Sequence, residues 1–143
     1  MKMVADLLRD KGDEIWSVVP ETAVYDALVL LAEKGIGAVL VLRGETLAGI
    51  FSERDYARRV ILKGLSSREV KVSEIMTRDV VCVKPTHSID ECMALMTERR
   101  CRHLPVLVDG RLRGVLSIGD VVKAVLSEKE FQIGQLEAYI TQG

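Results

Sequence analysis

Apolar and polar positions along this 143-residue chain follow a pattern that occurs twice, at a constant offset of 65 residues. Each copy opens with a short apolar run just before a proline, residues 15–19 before Pro20 and 80–83 before Pro85, and each run reads as a strand. Helical spacing follows. Val24, Leu28 and Leu31 stand at i, i+4 and i+7, as do Ile89, Met93 and Met96, so each copy predicts a helix that buries one stripe. Thr22 and Ser88 are the expected N-caps, and Ser88 with Glu91 has the spacing of a capping box. Two further apolar runs come next in each copy, 38–42 with 47–51 and 104–108 with 112–116. They are joined by turns containing Gly44 or Asp109-Gly110, which predicts a β-hairpin in each half. A second helix closes each copy, over 53–62 and 118–126. The expected fold class is therefore α+β, a β-α-β-β-α unit made twice.

The register of the repeat does not slip. Residues 15–62 lie on 80–127 without a gap, matching Val18 with Val83, Pro20 with Pro85, Gly49 with Gly114, Ser52 with Ser117 and Asp55 with Asp120. Two copies of one supersecondary unit account for nearly the whole chain. A unit of about sixty residues buries only about 60% of its unfolded surface, so the halves are expected to share a core and to form a functional cleft between them. The expected boundaries are 1–64 for the first repeat, 65–74 for a polar linker, 75–127 for the second repeat and 128–143 for a C-terminal helix or tail. Phe131, Leu136 and Ile140 stand there at imperfect helical spacing, as in a helix docked on the core or on a partner, or in a frayed tail.

Charge narrows the function. Twenty basic residues against 21 acidic ones give a net charge of −1, so no global field recruits nucleic acid or an anionic membrane. One Trp, three Tyr and two Phe are too few for a stacking surface. No apolar run approaches the roughly eighteen residues of a membrane span, and the first eight residues lack a secretory h-region; a cytoplasmic protein is expected. Cys82, Cys92 and Cys101 have no C-x-x-C spacing, which argues against a zinc site and a disulfide framework. There are two histidines and no H-E-x-x-H, P-loop or G-x-G-x-x-G motif, so neither an enzyme nor a catalytic cofactor is expected.

Four segments carry a family resemblance: G-I-F-S-E-R-D (49–55), G-V-L-S-I-G-D (114–120), I-M-T-R-D-V-V-C-V-K-P (75–85) and R-H-L-P-V (102–106). In that order, twice over, the chain resembles a tandem pair of CBS domains, of the kind found in stand-alone bacterial signalling modules, over about residues 4 to 126. The resemblance implies two repeats about a pseudo-twofold axis with two clefts between them. It also implies regulatory adenosine ligands (AMP, ADP, ATP, S-adenosylmethionine or NAD) and dimerisation through helices.

The sharpest chemistry is S-x-x-D at the strand-to-helix junction, Ser52 with Asp55 and Ser117 with Asp120. Serine at an N-cap with an acid at N3 is also a capping box, sufficient merely to start a helix. A carboxylate there can accept both ribose hydroxyls, while the helix N-terminus offers N–H groups to an anion; the same residues can cap and bind. Arg102 and His103 place a guanidinium and an imidazole before the second hairpin, suited to a phosphate, where the first copy has Gly37-Ala38 and more room. Arg54, Arg58 and Arg59 either compensate there or form a solvated face. Val18, Val83, Ile36 and Cys101 are candidates to sandwich an adenine, with core packing as the alternative, and Thr77 joins the candidate contacts. The expected function is an adenine-nucleotide sensor that modulates an unknown downstream protein, with AMP favoured beside Asp120 and ATP or NAD beside Asp55. If NAD binds, it binds as a signal. A ligand-free dimerisation scaffold is the alternative. The surplus of apolar positions at Tyr56, Val60, Ile61, Val121, Val122 and Val125 predicts a twofold homodimer.

Overall fold

A computed structural model describes residues 2–12 and 14–142. The elements run α1 (Val4–Lys11), β1 (Ser17–Val18), α2 (Val24–Lys34), β2 (Ala38–Arg43), β3 (Thr46–Ser52), α3 (Glu53–Tyr56), a π-helical turn (Ala57–Ile61), α4 (Val72–Ile75), α5 (Ile89–Arg99), β4 (His103–Val108), β5 (Arg111–Ser117) and α6 (Ile118–Gln142). They make an α+β fold in two compact units, one of residues 14–80 and the other of 81–143 together with 1–13. Among the described residues no helix is long and apolar enough to cross a membrane.

In the 14–80 unit, β1 runs parallel to β2, and β2 pairs antiparallel with β3 across a bulge between Val41 and Leu42. Helix α2 does not use Thr22 as its cap. Ala23 holds the extended cap position, and the freed N–H groups of Val24 and Tyr25 donate to the carbonyls of Val70 and Ser67 at 2.9 and 2.8 Å. The stretch expected to be a linker thus satisfies the start of α2. It also supplies core: Val72 is fully buried and clusters with Ile75, Met76, Val24, Leu31, Val41, Phe51 and Val60. The helix expected over 53–62 is one α-helical turn followed by the π-helical one.

The other unit repeats the hairpin, with the bulge between Val106 and Leu107 at the equivalent point. Its predicted first strand shrinks to one parallel bridge between Val83 and Val106. Ser88 caps α5 as expected, Oγ accepting the Glu91 N–H at 3.1 Å while the Glu91 carboxylate accepts the Ser88 N–H at 3.0 Å. Val4 and Leu7 of α1 are buried here with Val83, Ile89, Cys92, Leu104, Leu116 and Val121. Among the described residues, each unit thus holds a cluster of buried apolar side chains of its own. Each is completed by the segment preceding the other repeat in sequence, 72–76 in one unit and α1 in the other.

The segment beyond residue 126 continues α6 as one helix of 25 residues. Phe131, Ile133 and Leu136 are more than half exposed on it, so these side chains do not dock on the core. The Ile140 side chain lies outside the described ones. Of the apolar surplus assigned to a dimer face, Val60 and Val121 are core residues, whereas Ile61 and Val122 are exposed.

Candidate functional site

The two serine–aspartate junctions are built alike. Ser52 ends β3 in extended conformation and caps α3: its Oγ accepts the Asp55 N–H at 3.2 Å, and Asp55 Oδ2 accepts the Ser52 N–H at 2.9 Å. Ser117 ends β5 in the same way, Oγ accepting the Asp120 N–H at 3.1 Å and Asp120 Oδ2 accepting the Ser117 N–H at 2.8 Å. The first helical N–H is also met equivalently. Glu53 donates to the Gly37 carbonyl at 3.1 Å, and Ile118 donates to the Arg102 carbonyl at 2.8 Å. Capping geometry is present at both junctions, and at both the carboxylate stands at a helix N-terminus, where the dipole favours negative charge.

What meets the carboxylate differs. Asp55, only 7% exposed, accepts the Thr77 hydroxyl on Oδ1 at 3.0 Å. Thr77 is held by a two-way backbone pairing with Ile50, 2.9 Å in each direction. Arg59 pins the same segment by donating to the carbonyls of Ile75 and Met76 at 3.0 and 3.1 Å, a structural use of that guanidinium. Gly49 makes the approach possible, since a Cβ there would lie 2.7 Å from the Thr77 carbonyl oxygen.

Asp120 instead meets Lys11, whose ammonium donates to Oδ2 at 2.7 Å and to the Val115 carbonyl at 2.6 Å. Burial by itself would raise the Asp120 carboxyl, but the hydrogen bond from Lys11, the Ser117 N–H and the Lys11 charge outweigh it and hold the group below its ordinary value. His103, half-buried opposite Ser117 in the hairpin register, is pushed down chiefly by burial. The Lys11 and Arg102 charges add to that shift and Asp120 opposes it.

Ser52, Asp55 and Thr77 are thus joined by direct hydrogen bonds, and Ser117, Asp120 and His103 gather at the other junction with the Arg102 backbone. Gly37 contributes its carbonyl; a Cβ there would make only ordinary contact with the Glu53 carboxylate at 3.7 Å. Val18 and Ile36 are half-buried against the core of their unit, and Arg58 is exposed on the π-helical turn. Val83 is 1% exposed within the other core, the surroundings of a packing residue. Lys11 carries no signal in the sequence, because the gapless overlay of the two copies begins only at residue 15 and nothing in a lone lysine announces its destination.

Nucleophilic chemistry finds no activated group among the cysteines. Burial pushes the Cys82 and Cys101 thiols up, and Cys92 to about 11, away from the thiolate such chemistry needs. Among the described residues no cluster of three His, Cys, Asp or Glu side chains could hold a metal ion.

Comparison with known proteins bears on these junctions. The family model for the CBS domain matches twice, over residues 4–62 and 72–127. A candidate signal-transduction protein with CBS domains from Burkholderia ambifaria MC40-6 is 54% identical, with a TM-score of 0.85 over 88% of this chain and 95% of that one. The mitochondrial CBS domain-containing protein CBSX3 of Arabidopsis thaliana is 39% identical over 98% of this chain and 72% of its own length. CBSX2, solved in complex with AMP, is 31% identical, with a TM-score of 0.72 over 90% of this chain and 99% of that one.

Proposed function

The chain belongs to the CBS-domain family, whose paired domains are regulatory modules, and on that footing we propose that it is an adenine-nucleotide sensor without catalytic activity of its own. The observation that carries this reading is the duplicated junction, an aspartate at a helix N-terminus in each unit, placed by its own capping serine. Asp120 and Asp55 take the ribose hydroxyls of their ligands. Arg102 and His103 serve the phosphate of AMP at the first, while Gly37 leaves room at the second for ATP, ADP or NAD, with Arg58 for the added phosphates and Val18 and Ile36 toward the adenine. Thr77 turns its hydroxyl between Asp55 and the ligand. The AMP bound to CBSX2 supports the ligand class.

Occupancy shifts a two-state equilibrium by the ligand's differential affinity for the two states, and a downstream protein reads the shift. The sensor works as a homodimer that covers the exposed Ile61 and Val122; a monomeric mass in light scattering would contradict that part. Calorimetric titration with AMP, ADP, ATP and NAD tests the whole. Saturable heat with AMP is expected, and the absence of heat and thermal shift with all four would leave a dimerisation scaffold.

A further inference from the structure

Lys11 is the last residue of α1, and Gly12 after it turns the chain at a φ of +89°. Its side chain, 37% exposed, brings a fixed positive charge onto Asp120, where the equivalent carboxylate Asp55 meets the neutral hydroxyl of Thr77. The difference matters for a ligand. A hydroxyl can rotate from donor to acceptor and accommodate whatever replaces it. An ammonium leaving this part-exposed carboxylate gives up a charge-assisted bond, which an incoming anion replaces better than water does. The charges around His103 point the same way: Lys11 and Arg102 are two cations and Asp120 one carboxylate, so one further negative group balances the three.

We propose that Lys11 makes the Ser117–Asp120 site selective for phosphorylated ligands. Its ammonium holds Asp120 until a ligand arrives whose phosphate takes the ammonium while its ribose hydroxyls take the carboxylate. An uncharged nucleoside offers the hydroxyls alone and must break the ion pair without replacing it. The inference rests on the nucleotide reading of this junction. It assigns to a residue on α1, ahead of the stretch 15–62 that overlays on 80–127, the discrimination between a nucleotide and its nucleoside.

The test is a 1H–15N NMR titration with AMP and with adenosine, read at the Gly119 amide, which sits beside Asp120 and reports this junction. The wild-type protein should prefer AMP by at least about tenfold, as a charge-assisted contact to phosphate implies. Lys11→Thr, which removes the ammonium, should tighten adenosine and weaken AMP, shrinking the preference by about five- to tenfold. Lys11→Met should do the same should the threonine variant melt early, and Lys11→Arg should keep the preference. AMP binding with a preference unchanged in both Lys11→Thr and Lys11→Met overturns the role of Lys11 and leaves the nucleotide reading standing. A Gly119 amide that moves with neither compound overturns both.

Discussion

Thr77 donates its hydroxyl to Asp55 Oδ1 at 3.0 Å across 22 residues of sequence, which ties the segment after α4 to the helix start that Ser52 caps. The carboxylate is nearly buried and its second oxygen depends on that hydroxyl. Thr77→Val keeps the shape and removes the donor, so it should destabilise by about 1–2 kcal/mol, the usual result of leaving a buried acceptor unmet. Urea unfolding measures this, and Thr77→Ser should recover most of the loss. An unchanged midpoint in Thr77→Val would show that water replaces the hydroxyl without penalty.

The matched glycines Gly49 and Gly114 should respond differently to alanine. A Cβ at Gly49 meets a backbone carbonyl oxygen at 2.7 Å, which can move only with the whole segment, whereas a Cβ at Gly114 meets the Leu8 Cδ2 at 2.6 Å, the end of a flexible side chain. Gly49→Ala is expected to cost about 1–3 kcal/mol, in the range of overpacking, and Gly114→Ala clearly less. Equal melting temperatures for the two variants would refute this reading of the packing.

Arg100 occupies a left-handed C-cap, φ 53° and ψ 39°, at the place where the first repeat has Gly35. A side chain there is strained and glycine is not. Arg100→Gly should therefore raise stability by about 0.5–1 kcal/mol, seen as a higher urea midpoint, while Gly35→Arg should lower it.

Acidification provides a signature of His103. Burial depresses its folded-state value below the ordinary 6.5, so the unfolded chain binds the proton more readily than the folded one. Its contribution is present in full above pH 6.5 and is lost progressively as the pH falls below it. Asp120, also depressed, adds a second loss only below the ordinary carboxylate value of 3.8, as the pH falls through its folded value. Urea midpoints at pH 7.5 and 5.5 should differ in the wild-type protein and converge in His103→Gln; the same drop in both would assign the effect elsewhere.

The internal repeat makes much of this architecture legible in the amino-acid sequence. Both hairpins, the Ser88 cap and the two serine–aspartate pairs follow from residue type and spacing, which are local. The remaining features depend on distant partners. Thr22 has the right chemistry for a cap, yet the carbonyls of Val70 and Ser67 take the helical N–H groups and leave the cap to Ala23. The same stretch reads as a linker because its polar residues outnumber Val70 and Val72, although Val72 is core. The C-terminal residues read as separable from the second helix, and α6 runs through them unbroken with exposed apolar side chains. Lys11 and Thr77 each meet one of the two aspartates, but they come from different positions of the repeat, and a lysine and a threonine share no signal that a repeat would display.

The central claim is that Asp120 receives an adenine nucleotide. Calorimetric titration of AMP into the wild-type protein and into Asp120→Ala tests it most directly. Saturable binding is expected, weakened in the variant by about 1–3 kcal/mol, the range for hydrogen bonds to a charged group, with a smaller loss of folding stability. AMP affinity equal in the two proteins, or no binding to either, would contradict the account and reduce the serine–aspartate junction to a helix cap.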